Sequence, residues 1–254
     1  KNILLLIGTL RMGGAERALV NLYHELKSYY HVSICVFDES SDIDFDIDAE
    51  ILDLDSPPAS TLFGQVLNYV KRFWRLRAIK KRYKIDITIS FLSGANILNI
   101  LASYGKAIVT VHSYQSYAPT LRDRLITIAM NYLYAKSDVI VTVSKEIRSS
   151  LIDSGYISPE SSCVIYNLIE FQQVQDGLRV SGVERLSFLS GTPVLIAVGR
   201  LVKEKGYNYL LRMTSEMKKQ IPNLSLIIIG DGDLRQNLVA QSQLLGLKTY
   251  CHWD

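Results

Sequence analysis

Cysteine is scarce in this chain of 254 residues: Cys35, Cys163 and Cys251 stand far apart, and no C-x-x-C pair occurs. A disulfide-stapled scaffold is thereby excluded, and reduced, structural thiols in a cytosolic protein are expected. Long apolar runs are missing too. The first, Ile3–Ile7, is too short for a signal-peptide core or a membrane span, and no later run reaches spanning length. The expectation is a cytoplasmic protein, soluble or at most peripheral to the inner face of the membrane. Nor is there a strong excess of one charge. A net charge of +3 gives no global case for nucleic-acid binding. What is present suffices for a core, since 48% of residues are apolar and 21% charged.

The pattern along the chain alternates strand and helix. Asn2–Ile7 is a buried strand ended by Gly8, and Gly13-Gly14 opens a helix. Its apolar residues Ala15, Ala18, Leu19, Leu22 and Leu26 share one helical face. Val32–Phe37 follows as a strand. Beyond it come strands at Ile85–Phe91, Ala107–Val111, Asp138–Val143 and Cys163–Tyr166, with helices at Gly94–Tyr104, Leu121–Lys136 and Lys145–Ser154. This order predicts an α/β fold with a doubly wound parallel sheet. The glycines do not form G-x-G-x-x-G, and only Asp38 stands near the end of the second strand. A nicotinamide enzyme is therefore not favoured.

Asn167–Gly191 has weak periodicity and reads as a crossing segment with a short helix near Val183–Phe188. The pattern then restarts with strands at Val194–Val198, Leu224–Ile229 and Thr249–Trp253 and helices at Tyr207–Ile221 and Leu234–Leu245. The predicted domains are residues 1–167 and 192–254, joined by 168–191. A doubly wound domain normally has about five or six strands, so the second domain is expected to be incomplete.

Two charged stretches invite other readings. Asp38–Asp55 carries overlapping Asp-x-Asp triplets (Asp42, Asp44, Asp46, Asp48), but a metal site needs carboxylates fixed at a strand end. A solvated loop around a short strand, Glu50–Leu54, with no metal, is the expectation. Leu62–Tyr83 reads as a helix with the apolar stripe Val66, Leu67, Val70, Phe73 and Trp74, and residues 71–84 hold eight Lys/Arg and no acid. The ordinary reading packs the stripe into the core and leaves the basic face solvated. The alternative is peripheral contact with an anionic membrane.

In open parallel sheets ligands bind beyond the carboxyl ends of the strands. In the first half those ends carry Gly13-Gly14, Ser93–Asn96, His112-Ser113 and Ser144-Lys145. In the second they carry Arg200, Lys205 and Gly230–Gly232. Of the four histidines, only His112 directly ends a predicted strand. In Val194–Gly206 a buried strand delivers a guanidinium and an ammonium beside a helix start, an arrangement suited to an anion. A diphosphate on the second half and a polyhydroxyl partner on the first would complete a cleft.

Six ordered motifs now point to one family: Gly13–Arg17 (GGAER), Val109–Ser113 (VTVHS), Val143–Glu146 (VSKE), Ile165–Asn167 (IYN), Gly199–Gly206 (GRLVKEKG) and Ile229–Gly232 (IGDG). Together they resemble the retaining family 4 glycosyltransferases, whose fold, GT-B, pairs two Rossmann-like domains. The resemblance implies transfer of a hexose or N-acetylhexosamine from a nucleotide-diphosphate sugar, UDP-linked by expectation, to a glycan or lipid-linked glycan, without a divalent metal or other cofactor. It implies that Arg200 and Lys205 hold the donor diphosphate and stabilise the leaving nucleotide, and that His112 lies near the transferred sugar. It further implies that Gly13 and Gly14 approach the donor phosphate and that Gly230 and Gly232 approach the nucleoside. Ser93, Asn96, Ser113 and Tyr114 become acceptor-side residues. Family members also carry paired glutamates beyond the Gly-Asp-Gly helix, absent from these 254 residues. The expected chain is thus truncated at its C-terminus, and the alternative is an inactive acceptor-binding or membrane-docking module that needs a partner chain.

Overall fold

The computed structural model describes residues 1–11, 13–38, 43–57, 59–112, 121–155, 157–168, 193–247 and 251–253. The chain divides into two compact units, Lys1–Ile169 and Glu170–Asp254. Residues 169–191 of the expected crossing segment, including Val183–Phe188, lie outside the described residues.

The first unit runs β1 (Asn2–Leu6), α1 (Gly14–Leu26), β2 (His31–Val36), β3 (Glu50–Asp53), α2 (Leu62–Arg82), β4 (Ile87–Phe91), α3 (Ser93–Leu101), β5 (Lys106–Val111), α4 (Leu121–Tyr134), β6 (Val139–Thr142), α5 (Lys145–Asp153) and β7 (Ser162–Val164). Its seven strands pair in parallel in the order β3-β2-β1-β4-β5-β6-β7. β1 is apolar throughout because both of its faces are covered. Ile3 and Leu5 pack with Leu19 and Tyr23 of α1 on one side. Leu4 and Leu6 pack with Leu76 of α2 and Leu98 of α3 on the other. Each such leucine contributes about 1.5–3 kcal/mol by leaving water. The order in which strands are added reverses between β1 and β4, and at such a switch point a crevice opens beyond the strand ends.

Helix α2 differs from expectation in how it is rotated. Thr61 caps it by accepting from Gly64 N at 3.2 Å. Asn68, Arg72 and Arg75 then turn inward, donating to the carbonyls of Pro57, Ser56 and Leu54 at 2.6, 2.8 and 2.7 Å. The Arg72 guanidinium also lies over the Phe37 ring at 4.3 Å. With these polar groups on the sheet side, the first half of the helix presents its apolar face outward. Of the expected stripe only Phe73 packs inward, beside Leu76 and Ile79. Val66, Leu67, Val70 and Trp74 are exposed, joined by Phe63.

The basic stretch is not a uniformly solvated face either. Lys80 is fully buried, with its ammonium 2.7 Å from Asn99 Oδ1 and 3.2 Å from the carbonyls of Asn99 and Ala102. Those carbonyls belong to the last turn of α3, where a cation is favoured. Of the cysteines, Cys35 is buried, and burial pushes its thiol well above the ordinary range. Cys163 on β7 is exposed, unlike the buried thiol expected of it. The side chain of Cys251 lies outside those described.

The second unit runs β8 (Val194–Val198), α6 (Tyr207–Gln220), β9 (Ser225–Ile229), α7 (Arg235–Leu244) and β10 (Cys251–Trp253), with parallel strands in the order β10-β9-β8. Leu226 and Ile228 of β9 pack against Tyr207 and Leu211 of α6 and Leu238 of α7. The opposite face of β8 presents Ile196 and Val198 to solvent.

Candidate active site

At the carboxyl edge of the first sheet, β4, β5 and β6 each deliver alternate residues to the same face. Phe91, Thr110, His112 and Val141 line a cavity of about 210 Å³ with Tyr166 and Asn167, which follow β7. Three of the six motifs therefore converge on one cavity through Thr110 and His112, through Val143, and through Ile165–Asn167. It is smaller than the ~300–1,000 Å³ pockets that enclose drug-sized ligands, a size suited to one ring or chain end.

His112 is half-buried there, its ring tilted against Phe91 at a centroid distance of 5.7 Å. Its Nε2 stands 3.2 Å from Thr110 Oγ1. Burial lowers the pKa of the imidazole, since water is withdrawn from its charged form. Burial thus favours the neutral ring.

Asn96 departs from the acceptor-side role expected of it. It is 1% exposed, and its amide is consumed internally: Nδ2 donates to the Thr110 carbonyl at 2.8 Å, and Oδ1 accepts from Ser90 Oγ at 2.8 Å. The side chain is a strut between α3, β4 and β5, because α3 turns this position toward the sheet. Ser93, on the first turn of α3, is exposed. It follows Leu92, a non-glycine residue held at φ 71°. Ser113 and Tyr114 lie outside the described residues. Ser144 caps α5 by accepting from Ile147 N at 3.3 Å, and a backbone hydrogen bond, together with one from the Ser144 hydroxyl, lowers the Glu146 pKa. The VSKE motif thus supplies the N-cap that fixes the turn after β6.

The glycines divide into two kinds. Gly13 caps α1 in an extended conformation, and a Cβ there would meet only the movable Glu16 carboxylate. At Gly14 a Cβ would meet nothing within 4 Å. Neither glycine is required by the fold. Gly230, at φ 146°, is different, because a Cβ there would collide with the Gly199 carbonyl oxygen. Gly232, at φ 153°, would bring a Cβ to 2.8 Å from the Leu201 carbonyl oxygen. The loops after β8 and β9 are also clasped by hydrogen bonds, Gly199 N to Ile229 O at 2.9 Å and Leu201 N to Asp231 O at 2.8 Å. Tyr207 Oη donates to Gly199 O at 2.9 Å. These glycines therefore have an internal reason to be glycine, which sequence reasoning assigned to a ligand.

From this clasped pair of loops Arg200 and Lys205 extend into solvent, Lys205 from the short 3-10 turn Lys203–Lys205. Neither makes a hydrogen bond or ion pair with the described residues. In the acidic loop, by contrast, Asp48 is paired with Lys27 at 2.9 Å and accepts from Tyr23, and Asp55 is paired with Arg75 at 2.7 Å and with Lys71. Sequence reasoning missed Thr110, Phe91, Tyr166 and Asn167 as cavity residues. The strand period supplies the signal for Thr110, which lies two residues before His112 and so on the same face.

Known proteins resemble this chain in sequence and in fold. A lipid-linked glycan α-1,4-N-acetylgalactosaminyltransferase of Campylobacter jejuni, acting on a diphospho-undecaprenol-linked acceptor, is 28% identical over 248 residues; the match covers 96% of this chain and 65% of the relative. The chain thus spans about two thirds of the length of that relative. Among solved structures, HepE of Anabaena bound to UDP superimposes with a TM-score of 0.70 at 18% identity, covering 100% of this chain and 68% of that one. UDP-GlcNAc 2-epimerase of Neisseria meningitidis reaches a TM-score of 0.64 at 13% identity, covering 100% and 72%. These structures share the fold of two Rossmann-like units, and since an epimerase is among them the fold alone does not decide the reaction. The family models are more specific than the fold: Glycosyltransferase Family 4 matches residues 12–173 and Glycosyl transferases group 1 matches 184–253. The cavity motifs lie within the first match and the cationic loop within the second, and the chain belongs to Glycosyltransferase Family 4.

Proposed function

We propose that this protein transfers a hexose or N-acetylhexosamine from a UDP-sugar to a glycan or lipid-linked glycan with retention of anomeric configuration. The observation that carries the reading is the loop Gly199–Gly206, where a guanidinium and an ammonium without partners among the described residues are held on a hydrogen-bonded clasp. A diphosphate leaving group meets a fork of donors at Arg200 and a point charge at Lys205. In the proposed reaction the bond from the anomeric carbon to the donor phosphate oxygen breaks, and its electron pair stays on that oxygen. The acceptor hydroxyl adds to the anomeric carbon from the same face, and its proton passes to the departing phosphate. The positive side chains stabilise the charge as it develops, which is the work a divalent metal does in other transferases. The Campylobacter relative supports an N-acetylhexosamine and a polyprenyl-diphosphate acceptor.

Gly14 supports a close approach of donor phosphate to backbone at the start of α1. Gly14→Ala is expected to leave the melting temperature unchanged or slightly raised, since alanine favours helix by up to ~1 kcal/mol. Transfer should fall by about tenfold or more because the added methyl occupies ligand space. An unchanged rate, measured as UDP released on addition of a polyprenyl-diphosphate-linked sugar, would remove Gly14 from the site.

The outward face of α2 supports a membrane-surface acceptor. Phe63 and Trp74 are 75% and 63% exposed, with Val66, Leu67 and Val70 between them on one face. Arg77, Lys81, Arg82 and Lys84 follow within the next turns and are exposed. The stripe also stands at the carboxyl edge of the sheet, since a Cβ on Gly94 would lie 3.8 Å from Tyr69 Oη. Apolar insertion plus basic flanks suits anionic lipid. The double variant Phe63→Ser, Trp74→Ser should fold normally and lose at least tenfold in sedimentation with phosphatidylglycerol vesicles. Equal binding by variant and parent would argue against this face. Among the described residues no helix is long and apolar enough to cross a membrane.

A further inference from the structure

The hydroxyl of Thr110 has one proton, and its destination is fixed. Oγ1 stands 2.8 Å from the Ser90 carbonyl oxygen, a group that can only accept. The same Oγ1 is 3.2 Å from His112 Nε2. With its proton committed to Ser90, Thr110 can offer the imidazole only a lone pair, so Nε2 must be the donor. Nδ1 is then the unprotonated nitrogen, and it has no partner among the described residues. The strut beneath holds this arrangement in place: Asn96 donates to the Thr110 carbonyl at 2.8 Å and accepts from Ser90 Oγ at 2.8 Å. Thr110 is 5% exposed, so water does not compete for its hydroxyl.

We infer that Thr110 is a positioning residue that keeps the proton of neutral His112 on Nε2 and leaves Nδ1 as an obligatory acceptor at the cavity. The ligand group that meets Nδ1 is then a donor, a sugar hydroxyl or an amide N–H, and a phosphate oxygen is refused there. The second half of this statement rests on the proposed function, and the first does not. Protonation of the ring would put a hydrogen on Nδ1 and abolish the acceptor. Among the described residues that line the cavity, from α1, β4, β5, β6 and the segment after β7, His112 and Tyr166 are the only side chains of an ionisable type. Burial, with no carboxylate near it among the described residues, holds the imidazole below its ordinary 6.5, so the acceptor persists below that pH.

The test is long-range ¹H–¹⁵N correlation of protein labelled with ¹⁵N-histidine, with His112 assigned by its loss in His112→Gln. The parent should show His112 as the Nε2–H tautomer alone. Thr110→Val should introduce an Nδ1–H population, and Thr110→Ser, which keeps the hydroxyl, should restore the parental pattern. An Nδ1–H tautomer in the parent overturns the inference, and that reading needs no variant to fold. An unchanged pattern in Thr110→Val overturns it equally. In transfer assays Thr110→Val should weaken KM or kcat by roughly three- to tenfold, the worth of one hydrogen bond, and Thr110→Ser should recover it. A tautomer that shifts while transfer is unmoved would overturn the ligand-selecting half. Absence of transfer in the parent would count against the proposed function and leave the tautomer result to judge Thr110.

Discussion

Arg200→Ala is expected to lower glycosyl transfer by ~10²–10³, the usual cost of deleting one preorganised group that stabilises transition-state charge. Lys205→Ala should act in the same range. Both side chains are exposed and make no bond to the described residues, so melting temperatures should not change, and lost activity cannot be put down to lost fold. The neighbouring Lys203, exposed on the same 3-10 turn, is the control, with little expected effect. Arg200→Lys should rescue only partly, because an ammonium cannot grip two phosphate oxygens as a planar fork does. Losses in the double variant should fall short of the product of the single ones, since both groups act on one developing charge. The measurement is nucleotide release under single-turnover conditions. Parental rates in both single variants would remove this loop from the reaction and with it the basis of the proposed function.

Lys80→Ala should destabilise the protein by about 3–5 kcal/mol, read from chemical denaturation. Burial, partly opposed by Cys35 and aided by the Arg77 charge, draws the Lys80 pKa down to about 7, yet three oxygens stand at 2.7–3.2 Å from Nζ, one for each N–H of an ammonium. The oxygens decide the matter for structure, since removing the side chain strands two carbonyls and an amide in the interior and opens a cavity between α2 and α3. Lys80→Met refills the space without the donors and should cost less than alanine. A loss below about 1 kcal/mol in Lys80→Ala would mean that water replaces the ammonium. Lys81→Ala, one residue on and exposed, should be nearly neutral.

The strand and helix order was legible because parallel strands covered on both faces become unbroken apolar runs, as in Ile3–Ile7, and because several runs end in glycine, as at Gly8, Gly199 and Gly230. His112 was legible for the same reason, being the residue at which β5 stops. Helix rotation was not. Period alone marks one apolar face on α2, but the arginine donors that bind the carbonyls of residues 54–56 turn part of that face to solvent, and no spacing rule reveals that polar groups will win the inner side. Lys80 shows the same limit, since a run of basic residues does not tell which one finds a helix end beneath it. Asn96 was misassigned because an asparagine near a strand end looks identical whether it faces a ligand or bridges two strands. The glycines were found, but for half of the reason: Gly14 is free of internal demands, whereas Gly230 and Gly232 are held by the neighbouring loop.

That clasp constrains how the second unit can change over generations. A side chain at 230 is admissible only if the 199 turn recoils, and the recoil would carry Arg200 with it. Substitutions that alter ligand preference without disabling the cation must therefore enter elsewhere in the loop, and Asp231 and Asp233 are the positions whose side chains stand clear of it. The turn of residues 229–233 is in effect a fixed mount with two interchangeable sites, and diversification among its descendants is channelled through those two.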